Sequence, residues 1–150
     1  MKVSFTAKEY ERLLELAWLG MQVAQAGSED DDPPPERYAA LEQKLFELAT
    51  PLGCARSVDI ADDGTLVASE ELTEGPARDK MEDFMDEVFW HELVHRLAER
   101  DLRTELGATK LGETFSEEEQ TRLAAIEDRY WREFEAHGVD HLVLLRGGRG

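Results

Sequence analysis

The stretch His91-Glu92-Leu93-Val94-His95 has residue types and a spacing that could do chemistry. On a helix, residues four apart share a face, so two imidazoles can bind one Zn²⁺ at about 2.0–2.1 Å. Glu92, between them, could then act as general base toward a metal-bound water, as in the H-E-x-x-H pattern of zinc peptidases. Three features oppose that reading. Arg96 puts a fixed cation directly after the second histidine, where it repels the metal. Two helical segments precede the motif, in the place where zinc peptidases carry a strand-rich half. No extended third-ligand motif follows it. His137, His141, Glu133 and Glu135 remain as candidate third ligands, but in no recognisable pattern.

The four histidines form two pairs, His91/His95 and His137/His141, so a four-histidine site is conceivable. Gly138 interrupts the helix between the second pair, so those two need not share a face. The simpler expectation puts His137 against the helix-end carbonyls, a place that favours a cation. The expectation is therefore no stoichiometric zinc and no cofactor, with zinc at His91 and His95 as the alternative.

Other reactive types are weaker. Cys54 follows a Pro-Leu-Gly turn with no Cys-His signature, and reads as a small inert side chain. The acidic run Glu29–Asp32 lacks the interleaving of a calcium loop. Asp62-Asp63-Gly64 reads as a turn. Arg146-Gly147-Gly148-Arg149 is one isolated copy of an RNA-binding-tail pattern. The chain has no glycine-rich phosphate loop and no serine nucleophile elbow.

The elements that must position these residues are mostly helices. Thr6 and Glu9 fit a capping box. After them Tyr10, Leu13, Leu14, Ala17, Met21 and Ala24 make a helical stripe ending near Gly27, widened by Trp18, Leu19 and Val23. The acidic and proline-rich stretch 28–35 is a linker, with Asp32 as cap for a second helix. That helix is expected to bury Tyr38, Leu41, Leu45, Leu48 and Ala49, and to stop at Pro51 and Gly53. Val58, Ile60, Asp63-Gly64, Leu66 and Val67 signal a hairpin, and 70–76 reads as a loop. A long helix spans about 77–106, with Gly107 as its stop. Its apolar direction turns over near Phe89, from the side of Met81, Phe84, Met85 and Val88 to the side of Trp90, Leu93, Val94 and Leu97. That predicts a sandwiched or bent helix with Trp90 buried opposite Met81 and Met85. After a glycine-rich loop over 108–115, a second capping box, Ser116 with Glu119, opens a helix with the stripe Leu123, Ile126, Tyr130 and Phe134, stopped at Gly138. Val139–Leu145 is expected as a strand joining the hairpin, and 146–150 as a flexible tail. The fold class is α+β: about four helices and a small antiparallel sheet of the hairpin plus the C-terminal strand. At 150 residues a single domain is expected over 1–150.

Charge narrows the function classes. Lys and Arg total 17 against 34 Asp and Glu, giving a formal charge of −17. That field repels phosphate backbones, so direct nucleic-acid binding is not expected, and anionic membranes are disfavoured. No apolar run approaches a membrane span of about 20 residues, and the opening residues show no secretion signal. A lone cysteine suits a reducing cytoplasm. Self-repulsion at this charge also predicts that salt stabilises the fold.

The order of features resembles a group of small acidic bacterial proteins without known activity. The resemblance rests on Tyr10-Glu11-Arg12-Leu13-Leu14, on Tyr38 with Leu41-Glu42-Gln43 and Phe46, and on Phe89-Trp90-His91-Glu92-Leu93 with Arg96-Leu97-Ala98-Glu99-Arg100-Asp101. It covers most of the chain through ordinary helix residues. An acidic residue often stands in that group at the position of His91, which implies that the H-E-x-x-H match here is accidental. The expected function is a non-enzymatic acidic interaction protein of the cytoplasm, its partner a protein, and a basic one by charge. The alternative is a zinc-dependent hydrolase using His91, Glu92 and His95.

Overall fold

A computed structural model of the chain describes residues 3–26, 35–107 and 115–143. The chain divides into two compact units, Met1–Met85 and Asp86–Gly150.

The first unit holds helices α1 (Ala7–Gln25) and α2 (Glu36–Glu47), a two-stranded antiparallel sheet of β1 (Val58–Ile60) and β2 (Leu66–Ala68), and the short helix α3 (Glu70–Thr73). The capping box forms as expected: Glu9 N–H donates to the Thr6 hydroxyl, and the Glu9 carboxylate accepts from Thr6 N–H at 2.8 Å. The hairpin also forms. Val58 pairs with Ala68 and Ile60 with Leu66, around a turn where Gly64 has φ 84° and Asp63 accepts from Thr65 N–H at 2.9 Å. A side chain at that φ would be strained.

The core of this unit gathers Tyr10, Leu14, Phe46, Ala49, Cys54 and Leu72. The first helical stripe is confirmed, since Tyr10, Leu14 and Met21 are buried. The second is corrected in part: Ala49 is buried and Leu45 half-buried as expected, but Tyr38, Leu41 and Leu48 are exposed, and Phe46 faces inward in their place. Polar pins hold that rotation of α2. Tyr10 Oη donates to the Leu45 carbonyl at 2.7 Å. The Gln43 side chain bridges β2, donating to the Leu66 carbonyl at 2.6 Å and accepting from Leu66 N–H at 3.2 Å. Gln43 thus supplies the hydrogen bonds a third strand would offer to a sheet edge. The stretch 70–76, read as loop, contains α3, because the Ser69 hydroxyl accepts from Leu72 N–H and caps it.

Helix α4 (Pro76–Leu106) starts with proline at its first position, where no hydrogen bond is lost, and ends before Gly107 at φ 80°. In the second unit its later turns pack on α5 (Glu117–His137) through Ala98, Leu102, Leu123 and Ile126. The last helical stripe is confirmed, with Leu123, Ile126 and Phe134 buried and Tyr130 half-buried. The Ser116–Glu119 capping box is present.

The covering expected for α4 is corrected. Trp90 is half-buried, against Phe134 at 5.5 Å between ring centroids, but Phe84, Met85, Val88 and Phe89 are exposed. The seam with α5 covers the later turns of α4, at Ala98 and Leu102, whereas Phe84 and Met85 stand on earlier turns that belong to the first unit. The sheet is two-stranded, and residues 139–143 form turns and irregular backbone in place of the expected strand. Residues 144–145, most of the linker at 28–35 and the tail at 146–150 lie outside the described residues. No described helix is long and apolar enough to cross a membrane.

Candidate functional site

The His91–His95 turn sits mid-helix on α4, so its side chains are placed by helical geometry alone. Both histidines are exposed, and each has a different neighbour on α5. The His91 ring meets the Trp131 ring edge-on at 4.8 Å between centroids, and its Nε2 is 4.0 Å from a Glu87 oxygen. His95 Nδ1 lies 2.8 Å from Glu127, and its Nε2 lies 3.7 Å from Glu99. Glu92, the residue that would serve as base, accepts from Arg96 Nε at 2.9 Å. An i,i+4 ion pair of this kind is an ordinary feature of a solvated helix face. Arg96 therefore holds the carboxylate in that pair, where the sequence placed it as a neighbour of the metal.

The break at Gly138 leaves the placement of the second histidine pair open, and the structure brings the two together. Glu133 and His137 are one helical turn apart at the end of α5. Gly138, at φ 55° and ψ −136°, then turns the chain back, with its N–H donating to the Phe134 carbonyl at 2.8 Å. Asp140 N–H donates to the His137 carbonyl at 3.2 Å and Leu142 N–H to the Val139 carbonyl at 2.9 Å. These turns set the His141 ring 4.2 Å from the His137 ring, centroid to centroid, and 2.6 Å from Glu133 through Nδ1. The ligating atoms of Glu133, His137 and His141 all lie within 4.8 Å of one another. Among the described residues this is the one group of three such side chains in mutual reach, and it includes neither His91 nor His95. Glu135, the other sequence candidate, is exposed and outside it.

Within the same unit, Asp101 of α4 makes a charged clasp to α5. Tyr130 Oη donates to it at 2.6 Å, Arg100 at 2.7 Å and Arg129 at 3.3 Å. Burial pushes the Asp101 carboxyl up, but the bonds from Tyr130 and Arg100 and the nearby guanidinium charges outweigh that and hold it below its ordinary range. Burial and the Asp101 bond raise Tyr130 in turn.

Cys54 is buried in the first core with its thiol donating to the Ala7 carbonyl at 3.2 Å. Burial raises its thiol, followed by the Glu11 charge, so the nucleophilic thiolate is disfavoured.

The first unit has a different kind of site. Between α1 and α2 lies a groove of about 540 Å³, floored by Ala17, Met21 and Leu45 and edged by Val23, Tyr38 and Leu41. Glu42 sits in it, and burial raises its carboxyl above the ordinary value. A second apolar groove of about 400 Å³ shares Gly20 and Val23 and runs to Met81 and Phe84. Val23, Leu41 and Phe84 are each more than half exposed. Sequence reading missed both grooves, because it assigned these apolar residues to the core. Comparison of the chain with family models, with curated proteins and with solved structures found no match.

Proposed function

We propose that this protein is a non-enzymatic, acidic interaction protein of the cytoplasm that binds a basic amphipathic helix on the paired grooves of its first unit. The observation that carries this reading is the exposed apolar surface around Val23, shared by two grooves. Large apolar side chains gathered in one exposed patch mark interaction surfaces. Burying one stabilises a complex by about 1.5–3 kcal/mol. The partner's basic charge rests on the chain's net charge of −17, whose acidic excess lies mostly in the first unit, and not on the groove linings, which carry Arg37 and Lys80 beside Glu42. The chemistry-bearing side chains support the same reading: Glu92 is paired with Arg96, and Cys54 is buried.

Titration calorimetry with two synthetic amphipathic helices of equal apolar pattern, one Lys/Leu and one Glu/Leu, tests it. The Lys/Leu helix should bind, and Val23→Ser and Leu41→Ser should each weaken it by about 10-fold. Equal binding of the Glu/Leu helix, or no loss in the serine variants, would overturn the proposal. The zinc-dependent hydrolase alternative makes a different demand: peptide hydrolysis by zinc-loaded protein, abolished in Glu92→Gln.

A further inference from the structure

We propose that Glu133, His137 and His141 form a binding site for a first-row divalent cation of the zinc type, separate from the His91–His95 motif. The donor set is two imidazoles and one carboxylate, the chemistry that suits zinc and its neighbours and suits calcium or magnesium poorly. The geometry is close to what the ion needs. Bonds of about 2.0–2.1 Å in a tetrahedral arrangement put ligand atoms about 3.4 Å apart. Here the three ligating atoms lie within 4.8 Å of one another. Closing that gap takes small rotations of side chains that are exposed or half-buried and so free to make them.

The backbone that brings them together is held by its own hydrogen bonds. The turn after α5 is fixed by the Gly138, Asp140 and Leu142 amides, so the backbone beneath the site is preformed. Preorganisation of this kind lowers the ordering cost of binding. A cation that takes the Glu133 oxygen replaces the hydrogen bond between that oxygen and His141 Nδ1. The net charge of −17 raises the local concentration of cations. Three protein ligands leave a fourth position for water.

By contrast, the His91–His95 motif lacks a third ligand in reach of both histidines among the described residues. His91 packs edge-on against Trp131 and His95 is hydrogen-bonded to Glu127.

The test is titration of untagged, chelator-treated full-length protein with Zn²⁺, followed by calorimetry. Circular dichroism of each variant checks that it folds. The expected result is one equivalent bound with a Kd of about 10 µM or tighter. His137→Ala and His141→Ala should each weaken binding by more than about 10-fold, the lower end of what even outer-shell losses cost at metal sites. His91→Ala and His95→Ala should leave it unchanged. Cobalt(II) in place of zinc gives a second readout, since its visible bands should change in His141→Ala and persist in His95→Ala. Absence of binding at the expected strength would overturn the proposal. So would binding that survives loss of His137 and His141 and disappears with His91 or His95.

Discussion

The two units of this chain are stabilised differently and expose different chemistry. The first buries a mixed core in which a tyrosine, two helices and a hairpin meet, and its polar groups are spent inside: Tyr10 on Leu45, Gln43 on Leu66, Ser69 on the Arg56 carbonyl. It carries none of the four histidines and displays apolar grooves. The second unit is a seam between two helices, where Ala98, at 0% exposure, packs with Leu102, Leu123 and Ile126. Its polar groups are exposed or half-buried, in the Asp101 clasp and the two histidine pairs. A mixed core satisfies its buried polar atoms internally and leaves surplus apolar area at the surface. A two-helix seam has little depth and places its charged groups where solutes reach them.

The largest expected effect tests whether the two cores are separate. Leu14 is fully buried in the first core. Leu14→Ala should cost about 2–5 kcal/mol through lost burial and the cavity left behind. Amide exchange should speed up around Tyr10, Phe46 and Ala49 and change little around Ala98 and Ile126. An equal rise in both regions would mean that the chain opens as one unit.

A smaller effect should come from Asp101→Asn, which weakens the clasp between α4 and α5. Loss of its charged hydrogen bonds should cost about 1–3 kcal/mol, felt in the second unit. The sign with pH follows from the lowered Asp101 carboxyl. A carboxyl held below its unfolded value stabilises the fold above that value, about pH 3.9, and loses the contribution as pH falls through its own lower value. The stability gap between the native chain and Asp101→Asn should therefore shrink from pH 5 toward pH 3. A gap that stays constant over that range would remove the charge on Asp101 as the cause.

Sodium chloride should produce the smallest effect. Exposed pairs such as Arg78–Glu82 and Arg96–Glu92 contribute little and weaken with salt. The unbalanced acidic charge weakens the fold in the other direction. Raising the salt from about 0.1 to 1 M shortens the Debye length from about 10 to 3 Å. The melting temperature should rise, and more for the first unit, which carries most of the acidic excess. A fall would show that attractive pairs dominate.

Local interactions made much of the fold legible. Both capping boxes, the Asp63-Gly64 turn, the Gly107 and Gly138 stops and the stripes of α1 and α5 each depend on residues a few positions apart. The α2 stripe was misjudged because several rotations of that helix bury apolar side chains. Which one is adopted depends on Gln43 finding the edge of β2, 23 residues away. The candidate site followed the same division. The His91–Glu92–His95 spacing was visible as a motif, yet its neighbours Trp131 and Glu127 come from another helix.

For His137 and His141 the sequence supplied the residue types, and the glycine between them announced a break in the helix. It could not give the direction of the turn after that break. The Gly138 backbone at φ 55° and the two following hydrogen bonds decide it, and they bring His141 back over Glu133. Helix, cap and turn are encoded by near neighbours, whose distances are fixed by covalent geometry. The pairing of faces and the closing of a ligand cluster depend on contacts between separate segments, which the packed structure alone specifies.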